Sequence, residues 1–128
     1  YNNSYNGQIR IFTVGSNAVT LLTNDTGGSV SRPAWSSDGL NIAFSSFSGA
    51  TSKIELISPN GTNRRSIASI KSYGSLLDPS FSNDSTKVVY RSLTQANVDD
   101  INVVSTSGSG AKNLTADTSS HVSKGTAR

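Results

Sequence analysis

Hydrophobic and polar positions alternate along this chain in short runs, and turn-forming residues break every run before a helical period can build. LNIAFSS (40–46), KIELI (53–57) and KVVYRS (87–92) are rich in β-branched and aromatic residues, with Asp-Gly, Pro-Asn-Gly and Asn-Asp-Ser beside them. The pattern predicts four short strands per unit. In the first complete unit these are Arg32 to Trp35, Leu40 to Ser46, Lys53 to Ile57 and Arg64 to Ala68, joined by SSDG, FSGATS and SPNG. Asp38 and Gly39 suit the first of these turns, because a carboxylate caps nearby N–H groups and glycine accepts a positive φ.

The unit then returns. PAWSSDGLNIAFSS (33–46) reappears as PSFSNDSTKVVYRS (79–92), placing Pro33, Trp35, Asp38 and Phe44 over Pro79, Phe81, Asp84 and Tyr90 at a spacing of 46. Ile54, Gly61 and Ile67 stand over Ile101, Gly108 and Leu114 at a spacing of 47. GQIRIFTVGSNAVTLLT (7–23) reads as the second half of such a unit, and 116–127 reads as the start of another over 24–35. A period in this range marks a tandem repeat whose units bury their faces on one another. The expected division is an outer half-unit at 1–23, units at 24–68 and 69–115, and one opening strand at 116–128.

Four antiparallel strands in a repeat of this length describe a β-propeller blade. The motif Pro, aromatic, Ser, Asp, turn, aliphatic strand resembles the repeat of the TolB-like (WD40-like) β-propeller family, with similar repeats in propellers of prolyl oligopeptidase relatives. The family pattern has Pro where Ser37 and Asn83 stand, Gly where Ser85 stands, and Trp where Phe81 stands. The resemblance implies an all-β fold of about 2.8 repeats within a six- to eight-bladed propeller. It implies a bacterial periplasmic or extracellular setting. Trp35 and Phe81 are expected as wedges between sheets, each burying on the order of 150 to 250 Å², with Asp38 and Asp84 holding the following turns.

Composition narrows the chemistry. Hydrophobic residues make up 34% of 128, thin for a self-sufficient core, and Ser supplies 25 residues. No Cys is present, so there is neither a disulfide nor a thiolate metal site. The eleven basic residues are dispersed, with Arg64 and Arg65 the only adjacent pair, too dilute for a nucleic-acid footprint. Those two arginines are expected along a solvated edge. There is no 18-residue apolar run to span a membrane, and the start without Met suggests a piece of a longer chain.

A Ser/His/Asp triad would have to use His121, the sole histidine, and no GxSxG elbow is present. Asp99 and Asp100 lack a calcium-loop spacing and read as an exposed acidic pair. Gly108 and Gly110 mark a turn. Five NxS/T sequons, at Asn2, Asn24, Asn60, Asn83 and Asn113, are expected by chance in so polar a chain. No catalytic, cofactor or metal residue is therefore assigned.

The reading that remains is a non-catalytic interaction or assembly module, its partner a protein or further blades. One loop rim, at 24–31, 46–52, 69–77, 92–99 and 116–123, is expected to carry the contacts, with Tyr73 and His121 as its most contact-prone side chains. Two rivals are the propeller of a prolyl-oligopeptidase-like hydrolase and a carbohydrate-binding or lyase propeller.

Overall fold

The computed structural model describes residues 7–116, and His121 with the expected strand at 116–128 lies outside them apart from Ala116. Ten strands form three antiparallel sheets, with no helix among the described residues. β1 (Arg10–Thr13) and β2 (Ala18–Leu21) make a two-stranded first sheet. The second sheet has the order β3 (Gly28–Trp35), β4 (Ile42–Ser48), β5 (Thr51–Ile57), β6 (Arg65–Ile70). The third repeats it with β7 (Ser75–Phe81), β8 (Lys87–Leu93), β9 (Asp99–Ser105) and β10 (Lys112–Asn113). Each strand pairs with its sequence neighbour, so no crossover is needed.

Cross-strand pairing assigns the faces. Ile42, Phe44 and Ile57 of the second sheet, with Val30 of β3, point to the first sheet, where they meet Ile9, Ile11 and Leu22. Ala43, Ile54 and Leu56 point the opposite way, onto Leu76, Val88, Tyr90 and Val104 of the third sheet. Successive side chains alternate across a strand, so a sheet covered on both faces needs a continuous apolar run. IAF in β4 supplies it. Phe44, with no exposed surface, is the largest fully buried side chain and contributes about 2 to 3 kcal/mol through burial alone. Two backbone donors at equivalent repeat positions bond to the preceding unit, Val30 N–H to Gly7 O and Leu76 N–H to the Ser52 hydroxyl.

The strands outrun the expectation at one end. β3 starts at Gly28 and β4 reaches Ser48, so the FSGATS connection shrinks to a hairpin tip at Gly49 and Ala50. Both first strands are bulged. Pairing slips between Ser31 and Ala34 in β3, and between Leu77 and Ser80 in β7. Arg32 (φ 57°) and Asp78 (φ 55°) sit at the slips in left-handed conformation, each directly before a proline.

Trp35 is a correction. Its side chain is 55% exposed, so it is not a buried wedge. Phe81, at the equivalent position, does pack against the core between the second and third sheets, since β7 lies on β3, β4 and β5. Among the described residues only a two-stranded sheet stands before β3. Its apolar contacts reach Val30, Ile42, Phe44 and Ile57 and stop short of Trp35.

Candidate partner-binding rim

The end of the molecule that carries the β4–β5 hairpin also carries the β6–β7 link, because both lie at the same end of the antiparallel sheets. In that link Lys71 to Gly74 turn the chain, with Gly74 N–H donating to Lys71 O at 3.3 Å. Ser72 (φ 58°) and Tyr73 (φ 61°) are both left-handed, a conformation that costs non-glycine residues about 1 to 2 kcal/mol each. A Cβ at Gly74 would stand 2.7 Å from Ile70 Cδ1, so a larger residue there would displace the Ile70 side chain. Tyr73 N–H donates to Ala50 O of the neighbouring hairpin at 3.2 Å. The link is thereby anchored while the Tyr73 side chain stays 64% exposed. Phe47 on the hairpin and Val98 on the β8–β9 connection are also exposed apolar side chains of this end.

An ion-pair cluster lies below the hairpin. Arg64 donates through Nη1 and Nη2 to both carboxylate oxygens of Asp25, at 2.6 and 2.8 Å. Through Nε and Nη2 it also reaches Glu55, at 2.9 and 3.0 Å. Its guanidinium lies 5.2 Å from the Phe44 ring centre, within cation–π range. Arg64 is exposed beside the edge strand β6, as expected, but its bonds also tie three segments together, which the expectation did not include. Arg65 is exposed, with contacts to Asn63 O, Asn41 Oδ1 and Thr106 O at 3.1 to 3.5 Å.

Hydrogen bonding from Arg64 holds the Asp25 carboxyl below its ordinary range. Burial pulls the Glu55 carboxyl upward, but bonds from Arg64 and from the Ser46 hydroxyl outweigh it and leave it lowered. Both carboxylates in turn raise the Arg64 pKa. With Ser48, Thr51 and Lys53 they line a polar cleft of about 350 Å³.

The repeated motif occupies the opposite end. Ser36 donates its hydroxyl to Asp38 at 2.6 Å and Leu40 N–H donates to the same carboxylate at 3.0 Å, while Gly39 takes φ 72°. In the second copy Ser82 and Thr86 hydroxyls donate to Asp84 at 2.6 and 2.7 Å, and Ser85 takes φ 61° where Gly39 stands. These bonds hold both aspartates below their ordinary range, the serine contributing most in each. Asp38 N–H donates to Ser85 Oγ at 3.2 Å and so ties one turn to the other. Pro33 and Pro79 follow the two bulges, with Pro79 buried and Pro33 exposed.

The acidic pair divides. Asp99 forms a bidentate ion pair with Arg91 at 2.7 and 2.8 Å. Asp100 is buried and accepts from Thr115 Oγ1 and Asn113 Nδ2 at 2.7 and 3.0 Å, which corrects the expectation of an exposed pair. Gly108 and Gly110 lie in the loop before β10 with positive φ. Among the described residues no three His, Cys, Asp or Glu side chains gather where a metal ion would be held. No described helix is long and apolar enough to cross a membrane.

The Arg64 cluster has no local sequence signature, whereas Tyr73 is legible in the sequence as a large aromatic on an expected rim loop. Asp25 and Arg64 are 39 positions apart, and although Ser72 and Gly74 mark a turn, the two left-handed positions are held by Ser72 and Tyr73 and not by the Gly or Asn that ordinarily takes such a conformation.

No family model matches the sequence, and no curated protein does. Solved structures do. The candidate TolB of Agrobacterium tumefaciens superposes with a TM-score of 0.71 at 23% identity, over 84% of this chain and 40% of its own. TolB of Acinetobacter baumannii gives 0.69 at 23% identity, over 86% of this chain and 27% of its own. The chain therefore spans less than half the length of either structure. Three stacked antiparallel sheets, a repeated aromatic and aspartate motif and this superposition agree: the chain has the TolB-like β-propeller fold.

Proposed function

We propose that this propeller module is non-catalytic and binds a protein partner through the rim that carries Tyr73, in the envelope of a bacterium. The observation that carries the reading is Tyr73 itself. A bulky residue in left-handed backbone is a conformational outlier, and outliers of this kind cluster where a surface is preorganised for contact. Here the ring gains little burial in return, since most of it faces solvent. Tyrosine is among the residues enriched at protein interfaces because it offers large contact area with few rotamers to freeze. The envelope setting is supported by the likeness to bacterial structures bearing the TolB name.

The test is a photocrosslinking residue at position 73, with the same residue at position 62 on the opposite end as control. In extract from the source cell, one protein should crosslink at 73 and none at 62, and Tyr73→Ala should lose that complex while keeping its thermal midpoint. Equal crosslinking from both ends, or undiminished binding by Tyr73→Ala, would overturn the proposal.

A further inference from the structure

The turn between β5 and β6 has the sequence Ser58-Pro59-Asn60-Gly61-Thr62 and is closed by Ser58 N–H to Thr62 O and Gly61 N–H to Ser58 O, at 2.9 and 2.8 Å. Asn60 is exposed. Its side-chain carbonyl is fixed by two donors of one residue, Thr62 N–H at 3.1 Å and Thr62 Oγ1–H at 2.6 Å. An Asx turn of this kind closes a single hydrogen-bonded ring that contains both the carboxamide carbon and the Gly61 backbone nitrogen. The following residue opposes no approach: Gly61 has no side chain, and a Cβ built there would have only Leu22 Cδ2 near it, at 4.0 Å.

From this geometry we propose that Asn60 is a site of spontaneous backbone-assisted deamidation, a covalent modification of the folded turn. The Gly61 nitrogen gives up its proton and attacks Asn60 Cγ, forming an N–C bond. The Cγ=Oδ1 electron pair moves onto oxygen, where the two Thr62 donors stabilise the charge as an oxyanion site does. The pair then returns, the Cγ–Nδ2 bond breaks, and the amide leaves as ammonia after taking up a proton. The resulting five-membered imide is opened by water. Attack at the side-chain carbonyl leaves aspartate at position 60, and attack at the main-chain carbonyl leaves an isoaspartyl link, with the chain running through the side chain. Each event adds a carboxylate and lowers the formal net charge from +3 by one. The bond from Gly61 N–H to Ser58 O must open before the proton can leave.

Other exposed asparagines lack this combination. Asn17, Asn63 and Asn97 take left-handed backbone and precede Ala, Arg and Val, and Asn24 and Asn83 each precede Asp, all with side chains that crowd the attacking nitrogen. Asn113 donates its amide to the Asp100 carboxylate at 3.0 Å.

The experiment incubates the whole chain in mildly alkaline buffer under native conditions and follows ammonia release, cation-exchange elution and peptide mass, with isoaspartyl methyltransferase labelling of the product. Conversion at Asn60 should precede that at every other described asparagine. Asn60→Gln should abolish it, because the ring would need six members. Thr62→Val, which keeps the backbone donor and removes the hydroxyl, should slow it roughly two- to tenfold, the factor for one exposed hydrogen bond. An intact Asn60 in the folded protein, alongside conversion at that site in the urea-unfolded chain, would show that the turn protects it and would overturn the proposal. Thr62→Val converting at the wild-type rate would remove the hydroxyl from the mechanism and overturn the geometry that supports it.

Discussion

Trp35 and Phe81 hold the same place in successive repeats and meet different fates. Phe81 closes onto a four-stranded sheet, and Trp35 faces a two-stranded one that does not reach it. The same contrast runs through the two complete sheets. The second is covered on both faces, and its central strand buries Phe44 without remainder. The third is covered on one, and its opposite face keeps Val89, Arg91 and Val103 half-buried with Ile101 exposed. Where the second sheet has Ser45 and Ser52, the third has Arg91 and Asp99 paired in a surface ion pair. A repeat sequence sets what a strand can do, and its neighbours set what its side chains are worth.

The sharpest way to break this comparison is to truncate the buried aromatics. Phe44→Ala should cost about 3 to 5 kcal/mol, read as a fall in the urea midpoint at unchanged slope. Tyr90→Phe, at the equivalent position and also buried, should cost under about 1 kcal/mol. Comparable losses in the two would refute the difference between the sheets.

The second test uses the paired wedges. Phe81→Ala should cost about 2 to 3 kcal/mol, whereas Trp35→Ala should cost about 1 kcal/mol or less because most of its surface is already wet. The ratio would invert if another surface covers Trp35 in solution, which Trp fluorescence would report as a blue-shifted and quencher-protected emission.

The third concerns charge. Arg64→Met should cost about 1 to 2 kcal/mol after allowing for screening at a side chain that is 30% exposed, because Glu55 keeps the Ser46 hydroxyl but loses its charged partner. Asp25 and Glu55 are both lowered from ordinary values of 3.8 and 4.5. Their contribution is therefore complete above those values and is lost as pH falls through the lowered folded values. Wild type should be flat from neutrality to roughly pH 5 and weaken below it, and Arg64→Met should weaken less steeply. The third sheet has a neutral bond at the equivalent place, Asn102 Nδ2 to Ser92 Oγ at 2.8 Å. Asn102→Ala should leave the acid limb unchanged.

The smallest effect separates the two motif turns. Gly39→Ser should cost about 1 kcal/mol, the penalty of left-handed backbone for a residue with a Cβ. Ser85→Gly relieves that penalty but deletes the acceptor of Asp38 N–H, so thermal melting should move little in either direction.

Local chemistry made the strands, their order and the aspartate turns readable from sequence, because alternation and turn residues act over a few positions. Ser85 shows how far that extends, for a turn expected to need glycine keeps its shape with a serine. What escaped depends on approach in space. The exposure of Trp35 depends on how many strands stand before β3, and the Arg64 cluster joins segments 39 positions apart. The left-handed Arg32 and Asp78 escaped for another reason, since a residue before proline is ordinarily biased to extended backbone.

Those two bulges govern how other chains can approach. β3 and β7 are edge strands of their sheets, and an edge with free N–H and C=O groups templates the addition of foreign strands. Pro33 and Pro79 remove a donor from each edge, the bulge bends it, and Arg32 and Asp78 set a charge beside it, bonded to each other at 2.5 Å. Strand addition along β3 or β7 is thereby blocked, protecting the chain from edge-to-edge aggregation and restricting partners at those edges to contacts made by side chains and loops.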